Sequence, residues 1–454
     1  MGPSNPATSE TSGAGEPKLL RALGPWQASS IVIGIMIGSA IFIVPAEITR
    51  EVGSPRFGLA VWIVAGVLSL FGALCFAELA AMMPQAGGQY VYLREAYGPL
   101  VSFLCGWMFF LVEQSGGIST LAVGLTGYLA QFFPFSLWER RLVAAAIIIL
   151  LTAINYRGVR EGGWVQSVLT GLNVGLVVSL IALGYALVRG PAGGPASLPA
   201  PTGFHFWASF GVAMVAALWA YEGWNNVTFA AGEVKRPERN LPLALILGTG
   251  LVIAVYAGLN LVYYHVLTLP EIIHSERVGS DAAAKILGPH GSQLVALAII
   301  IAVFGSINGS ILTAARVYYT MARDGLFFGW CTAVHPRFRT PYLALVVQGV
   351  WSVFLVLLAG YESLFTFTIF AGWIFYALTA LAVIVLRHKM PNLPRPYRVP
   401  FYPSVPILFV LAAALVVGNT LVQKPVEAGW GCVLVALGVP VYWIWRRLGR
   451  ARSA

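Results

Sequence analysis

Apolar runs recur along the whole chain, at 26–48, 56–83, 99–133, 141–156, 164–188, 206–231, 241–267, 291–321, 341–359, 363–386, 401–421 and 429–445. A run of about 20 apolar residues is what an α-helix needs to cross a hydrocarbon core. Only 10% of the 454 residues are charged and 58% are hydrophobic, whereas a soluble domain carries roughly 25% charged residues. The chain therefore reads as an all-α polytopic membrane protein with 12 transmembrane helices. The runs are continuous and lack the two-residue alternation of a membrane β-barrel, which excludes that class.

Lys and Arg divide unequally between alternate connectors. One side of the membrane collects 20 of the 28, among them Lys18, Arg94, Arg157, Arg316 and Arg387. The other side has Arg50, Arg56, Arg140, Arg141, Arg189, Arg277, Lys285 and Lys424. The positive-inside bias puts both termini in the cytoplasm, and the plasma (inner) membrane is the expected location. The net charge of +10 is thus a topology signal, and no nucleic-acid partner is expected. Residues 1–24 read as a disordered cytoplasmic tail without a secretory signal, and 447–454 as a cytoplasmic C-terminal tail. The longest connectors, 189–205 and 268–290, are expected to be non-helical. No phosphate-binding loop of the ATPase kind is present. Neither the four Cys nor the six His have metal-ligand spacing, so no metal, no cofactor and no enzyme constellation is expected.

Two runs carry residues that a transmembrane helix avoids. The first contains Gly34, Gly38, Ser39 and Ala40 in mid-span. Two readings stand for it: a break in the helix, or a small-residue face that packs against a neighbour. The sixth contains Glu222, Gly223, Asn225 and Asn226, which are costly at lipid depth unless they face protein or water. Interruptions in spans one and six are the pattern of a five-plus-five inverted repeat, in which freed backbone groups near the midplane bind substrate. Freed N–H groups suit a carboxylate and freed carbonyls an ammonium, so this chemistry fits an α-amino acid.

Four motifs in order carry a resemblance. They are Ile37-Gly38-Ser39-Ala40-Ile41-Phe42, then Ala77-Glu78-Leu79 with Pro84 to Tyr90, then Gly232 to Pro242, and Phe304 to Ser310 followed by Arg316 and Ala322-Arg323-Asp324-Gly325. Together they resemble the amino acid–polyamine–organocation superfamily, in particular its L-type amino acid transporter branch and bacterial relatives. The resemblance implies the LeuT-like fold, with spans one to five at 25–190, spans six to ten at 204–388 and the last two at 401–446. It implies that backbone amides near Gly38, Ser39, Ala40 and Ile41 hold the substrate carboxylate. Carbonyls of Met36, Trp219, Ala220 and Glu222 would hold the amino group. Trp219 would close over the substrate as a gate, while Asn225 and Phe370 would line the side-chain pocket. Where many members carry a Lys in span five, this chain has Asn173, which leaves the coupling mode open. The stretch from Phe133 to Arg140 lacks the Cys by which animal members join a glycoprotein, so no disulfide-linked heavy subunit is implied.

Five acids lie in or near spans. Glu47 and Glu362 sit near interfaces, and Glu78 is expected to pair with a loop arginine such as Arg94 or Arg316. Glu113 lies deeper, suited to a buried hydrogen-bond network or to proton handling. Glu222 either complements the dipole of a half-helix or faces the cavity. The sum is a secondary active transporter of L-amino acids, neutral ones in particular, working by alternating access as an exchanger. The alternatives are a proton-coupled symporter using Glu113 or Glu222, a sodium symporter, and a receptor that binds amino acids without moving them.

Overall fold

The computed structural model describes residues 18–188, 203–358, 362–423 and 425–453, and the side chains of 362–371, Phe370 and Glu362 included, lie outside the described residues. Its helices are α1 Pro25–Met36, α2 Ala40–Val52, α3 Pro55–Met82, α4 Gln89–Tyr97, α5 Pro99–Met108, α6 Gln114–Leu129, α7 Leu137–Tyr156 and α8 Val159–Leu187. After the second connector come α9 Phe204–Ala220, α10 Pro237–Val266, α11 Leu269–His274, α12 Val278–Leu287, α13 Gly291–Arg323, α14 Tyr342–Leu357, α15 Glu362–Lys389, α16 Ser404–Gln423 and α17 Pro425–Ser453. Eight helical stretches among the described residues are long and apolar enough to cross a membrane, or nine when α1 and α2, bent by 45°, count as one. Among the described residues there is no strand, only an isolated bridge between Leu23 and Val234. The chain is an integral membrane protein.

The helix starts follow local chemistry. Pro25, Pro55, Pro99 and Pro237 occupy first-turn positions, where a missing N–H costs nothing and φ is already set. Gly53 in the left-handed region ends α2. The connector 268–290 corrects the sequence expectation, because it contains α11 and α12. Thr268 and Glu271 form a capping box at the start of α11, and the apolar face of α12 packs on α2 and α13. The short helix α4 was also not foreseen.

Burial separates the centre from the rim. In the most apolar stretch of α13, 72% of residues are buried, against 28% in α16 and 22% in the last span. The central group of α1, α10 and α13 packs with the segment Trp224–Glu233, and this places both interrupted spans inside the protein, where exposed backbone is tolerated.

Ion pairs fasten the side bearing the N-terminal segment. Arg316 and Glu233 are wholly buried and paired at 2.5 Å. Leu23 donates to the Glu233 carbonyl (2.9 Å) and accepts from Lys235 N–H (2.8 Å). Arg94 pairs with Asp324 at 2.6 Å. Glu78 therefore finds neither Arg94 nor Arg316. Its carboxylate takes two bonds from Arg387, at 2.9 and 2.7 Å, and one from Val399 N–H at 2.7 Å, with Arg395 at 3.7 Å. The two arginines expected for Glu78 are claimed by other acids, Arg94 by Asp324 and Arg316 by Glu233.

Candidate functional site

The first span stops at Met36 and resumes at Ala40. Side chains from three other helices satisfy the carbonyls this break exposes. Ser306 Oγ donates to Gly34 O (2.9 Å) and Ile35 O (3.2 Å), and Asn173 Nδ2 donates to Ile37 O (3.1 Å). Met36 O accepts from Tyr256 Oη (2.7 Å) and from Gly38 N–H (2.9 Å), which engages both of its lone pairs. On the other side of the break, α2 begins without a side-chain cap. Its first N–H groups, at Ala40 and Ile41, have no carbonyl one turn behind them, so a partial positive charge faces outward from the helix start.

The two glycines of this span resolve the two readings of it. A Cβ on Gly34 would overlap Thr170 and Gln166 of α8, so Gly34 is a packing position. A Cβ on Gly38 would meet only Ser306 Oγ at 3.7 Å, and its φ is ordinary. Gly38 borders open space.

The sixth span ends as α9 at Ala220 and continues from Trp224 as a 3-10 segment to Glu233. Gly223 makes the turn, at φ +102, and a Cβ there would overlap Ile35 of the first break. Tyr221 N–H returns to Ala217 O and Glu222 N–H to Trp219 O, each at 3.1 Å. The Ala220 carbonyl accepts from Tyr256 Oη at 3.1 Å, so one hydroxyl joins the ends of both broken helices. Ala220 O keeps a lone pair for a further donor.

Between the breaks lies a cavity of about 130 Å³, roughly ten times what a single water occupies. Met36, Gly38, Ser39, Ala40, Trp219, Ala220, Glu222 and Glu113 all line it. Its walls are mainly apolar and small, with Ser306, Ser310, Thr120 and Asn226 supplying polar edges. Glu222 faces this space and accepts from Tyr376 Oη at 3.1 Å. Glu113 ends a π-helical turn, Phe109–Glu113, in the third span; such turns alter which side chain faces inward. Both of its carboxyl oxygens are without a hydrogen bond among the described residues.

The Ile41 side chain is buried in the core, and its backbone N–H stays at the start of α2. Two other expected residues lie elsewhere or outside the described side chains. Asn225 points away from the cavity and donates to Gln89 Oε1 (3.2 Å), while its neighbour Asn226 lines the cavity and donates to Gln114 Oε1 (3.2 Å). Phe370 lies outside the described side chains. Tyr256, Ser306 and Tyr376 were missed as site residues. A serine in the quoted span-eight motif was a usable signal for Ser306, but tyrosines in apolar runs look like core.

The comparisons with known proteins agree with this architecture. The serine/threonine exchanger SteT of Bacillus subtilis is 32% identical over 429 residues, covering 94% of this chain and 97% of that protein. The human b(0,+)-type amino acid transporter 1 is 32% identical over 438 residues, covering 93% and 88%. The mouse large neutral amino acids transporter small subunit 2 is 30% identical over 449 residues, covering 97% and 84%. The sequence model of the amino acid permease family matches residues 23–444, nearly the whole helical body, and the chain belongs to that family within the amino acid–polyamine–organocation superfamily.

Proposed function

We propose that the protein carries neutral L-amino acids across the plasma (inner) membrane by alternating access, as an exchanger. The observation that carries this reading is the meeting of two helix ends at one small cavity. The N-terminus of α2 offers N–H groups to a carboxylate, and the C-terminus of α9 offers carbonyls to an ammonium. A zwitterion satisfies both at once. Met36 O already accepts from Gly38 N–H and lies closest to Tyr256 Oη, so the ammonium falls chiefly to Trp219, Ala220 and Glu222. Trp219 shields the bound substrate. On this reading the helices form 12 spans with two inverted repeats, both termini are cytoplasmic, and no disulfide-linked subunit is needed. Named exchange in one relative and amino acid transport in the others support the same reading.

Uptake of a labelled amino acid mixture into proteoliposomes tests it. Exchange requires uptake only when unlabelled amino acid is trapped inside, with no response to sodium or pH gradients. One observation favours a second reading: Glu113 shares the cavity with Glu222, and its carboxyl oxygens make no hydrogen bond among the described residues. Proton-coupled symport would then give uptake into empty vesicles that follows an inward proton gradient and is lost in Glu113→Gln.

A further inference from the structure

A second concavity, of about 530 Å³, opens on the outer surface between α7 and α14, well away from the central cavity. Its walls are Ile149, Val346, Val350 and Val353. Ile149 and Val350 are 59% and 64% exposed and belong to apolar runs, so their surroundings are hydrocarbon. Gly349 brings the helices together at the groove floor, where a Cβ would stand 2.9 Å from Thr152 Oγ1. The Thr152 hydroxyl is buried and has no hydrogen-bond partner among the described residues.

One end of the groove is basic. Tyr156, Arg157 and Phe338 close it, and the loop carrying Phe338 is held firmly. His335 Nδ1 accepts from the N–H groups of Arg337 and Phe338, both at 3.2 Å. Thr340 Oγ1 donates to Tyr156 O at 2.9 Å, and the Arg337 guanidinium lies over the Phe338 ring at 5.5 Å. Arg157, Arg160, Arg337 and Arg339 are all exposed and form no salt bridge among the described residues. Glu161 is the one acid in the adjoining turn of α8. Thr332 and Val334 of the loop and Tyr342 at the start of α14 share a further cavity with Lys18, so this end lies on the face that carries the N-terminal segment.

We propose that this groove is a binding site for an anionic phospholipid. An acyl chain lies along Ile149, Val346, Val350 and Val353, and the phosphate sits at Arg157 within the arginine cluster. Thr152 lies five residues before Arg157, about 7 Å deeper along the helix, and marks the groove floor over which the acyl chain begins. A positively charged interfacial side chain beside an apolar groove favours a charged headgroup over a zwitterionic one. The proposal does not rest on the transport reading.

Native mass spectrometry of the full chain, with phosphatidylglycerol or phosphatidylcholine of identical acyl chains, tests it. Phosphatidylglycerol should be retained at least tenfold more tightly. Arg157→Gln should bring it down to the phosphatidylcholine level, while Arg56→Gln, an equal charge loss elsewhere on the surface, should not. Val350→Trp, which fills the groove from its exposed side, should release the lipid; unchanged melting temperatures certify that each variant is folded. Equal retention of the two lipids, equal effects of Arg157→Gln and Arg56→Gln, or full competition by glycerol 3-phosphate alone would overturn the site. So would a dimer that Val350→Trp dissociates, since the groove would then belong to a second copy.

Discussion

The two breaks read alike in sequence, each a cluster of small and polar residues in an apolar span, yet their glycines serve opposite ends. At the second break Gly223 is held at φ +102 against Ile35, where any side chain strains the fold. At the first break Gly38 has an ordinary φ and faces free space, so the protein itself does not require it. Gly223 is fixed by the fold, whereas Gly38 borders the cavity without a packing demand of its own. A small residue in a membrane helix can mark a tight contact or a reserved volume, and only the surroundings distinguish them.

Removing the anchor of the second break should have the largest effect. Arg316→Ala leaves Glu233 buried and unpaired, a loss of about 3–5 kcal/mol, visible as a large fall in melting temperature in detergent. The double variant Arg316→Met with Glu233→Leu should recover much of it. Gly223→Ala comes next, at about 2–4 kcal/mol from the left-handed backbone and the overlap with Ile35. Ile35→Ala in the same chain should relieve part of the deficit. If Gly223→Ala melts like the parent, the contrast between the breaks fails. Tyr256→Phe removes the hydroxyl that joins both breaks and should cost about 1–2 kcal/mol.

The smallest effect concerns α11, which packs on α2. Bonds from Lys285, Thr268 N–H and Thr268 Oγ1 hold the Glu271 carboxyl down at about 2. A depressed carboxylate contributes stability that is present above its unfolded value, about 4.3, and fades as pH falls through the folded one. Melting followed from pH 5 to pH 2 should therefore drop less steeply in Glu271→Gln than in the parent. The difference should be slight, since both partners are exposed to solvent.

Much of this was legible in the sequence because membrane depth makes certain residues conspicuous. Glu222, Gly223 and Asn225–Asn226 could not be ordinary lipid-facing residues, and that alone located the second break. The precise face was not legible. The segment after Gly223 is 3-10, three residues per turn, so the cavity receives Asn226 where family resemblance had named Asn225. The π-turn that ends at Glu113 leaves no mark in composition. Tyr256 is indistinguishable from core aromatics until its hydroxyl is seen between Met36 O and Ala220 O. Glu78 and Arg387 are 309 residues apart, and no local pattern pairs them. The capping box of Thr268 and Glu271 was readable, and with it a helix in a connector taken as irregular.

Gly38→Ala measures the central claim directly, with melting temperature and counterflow uptake recorded on the same preparation. The backbone there accepts alanine, so stability should change by no more than about 1 kcal/mol. The added methyl enters the space beside Ser306, and uptake should fall at least tenfold. A variant that melts much lower, or one that transports like the parent, would contradict the assignment of the first break to the ligand.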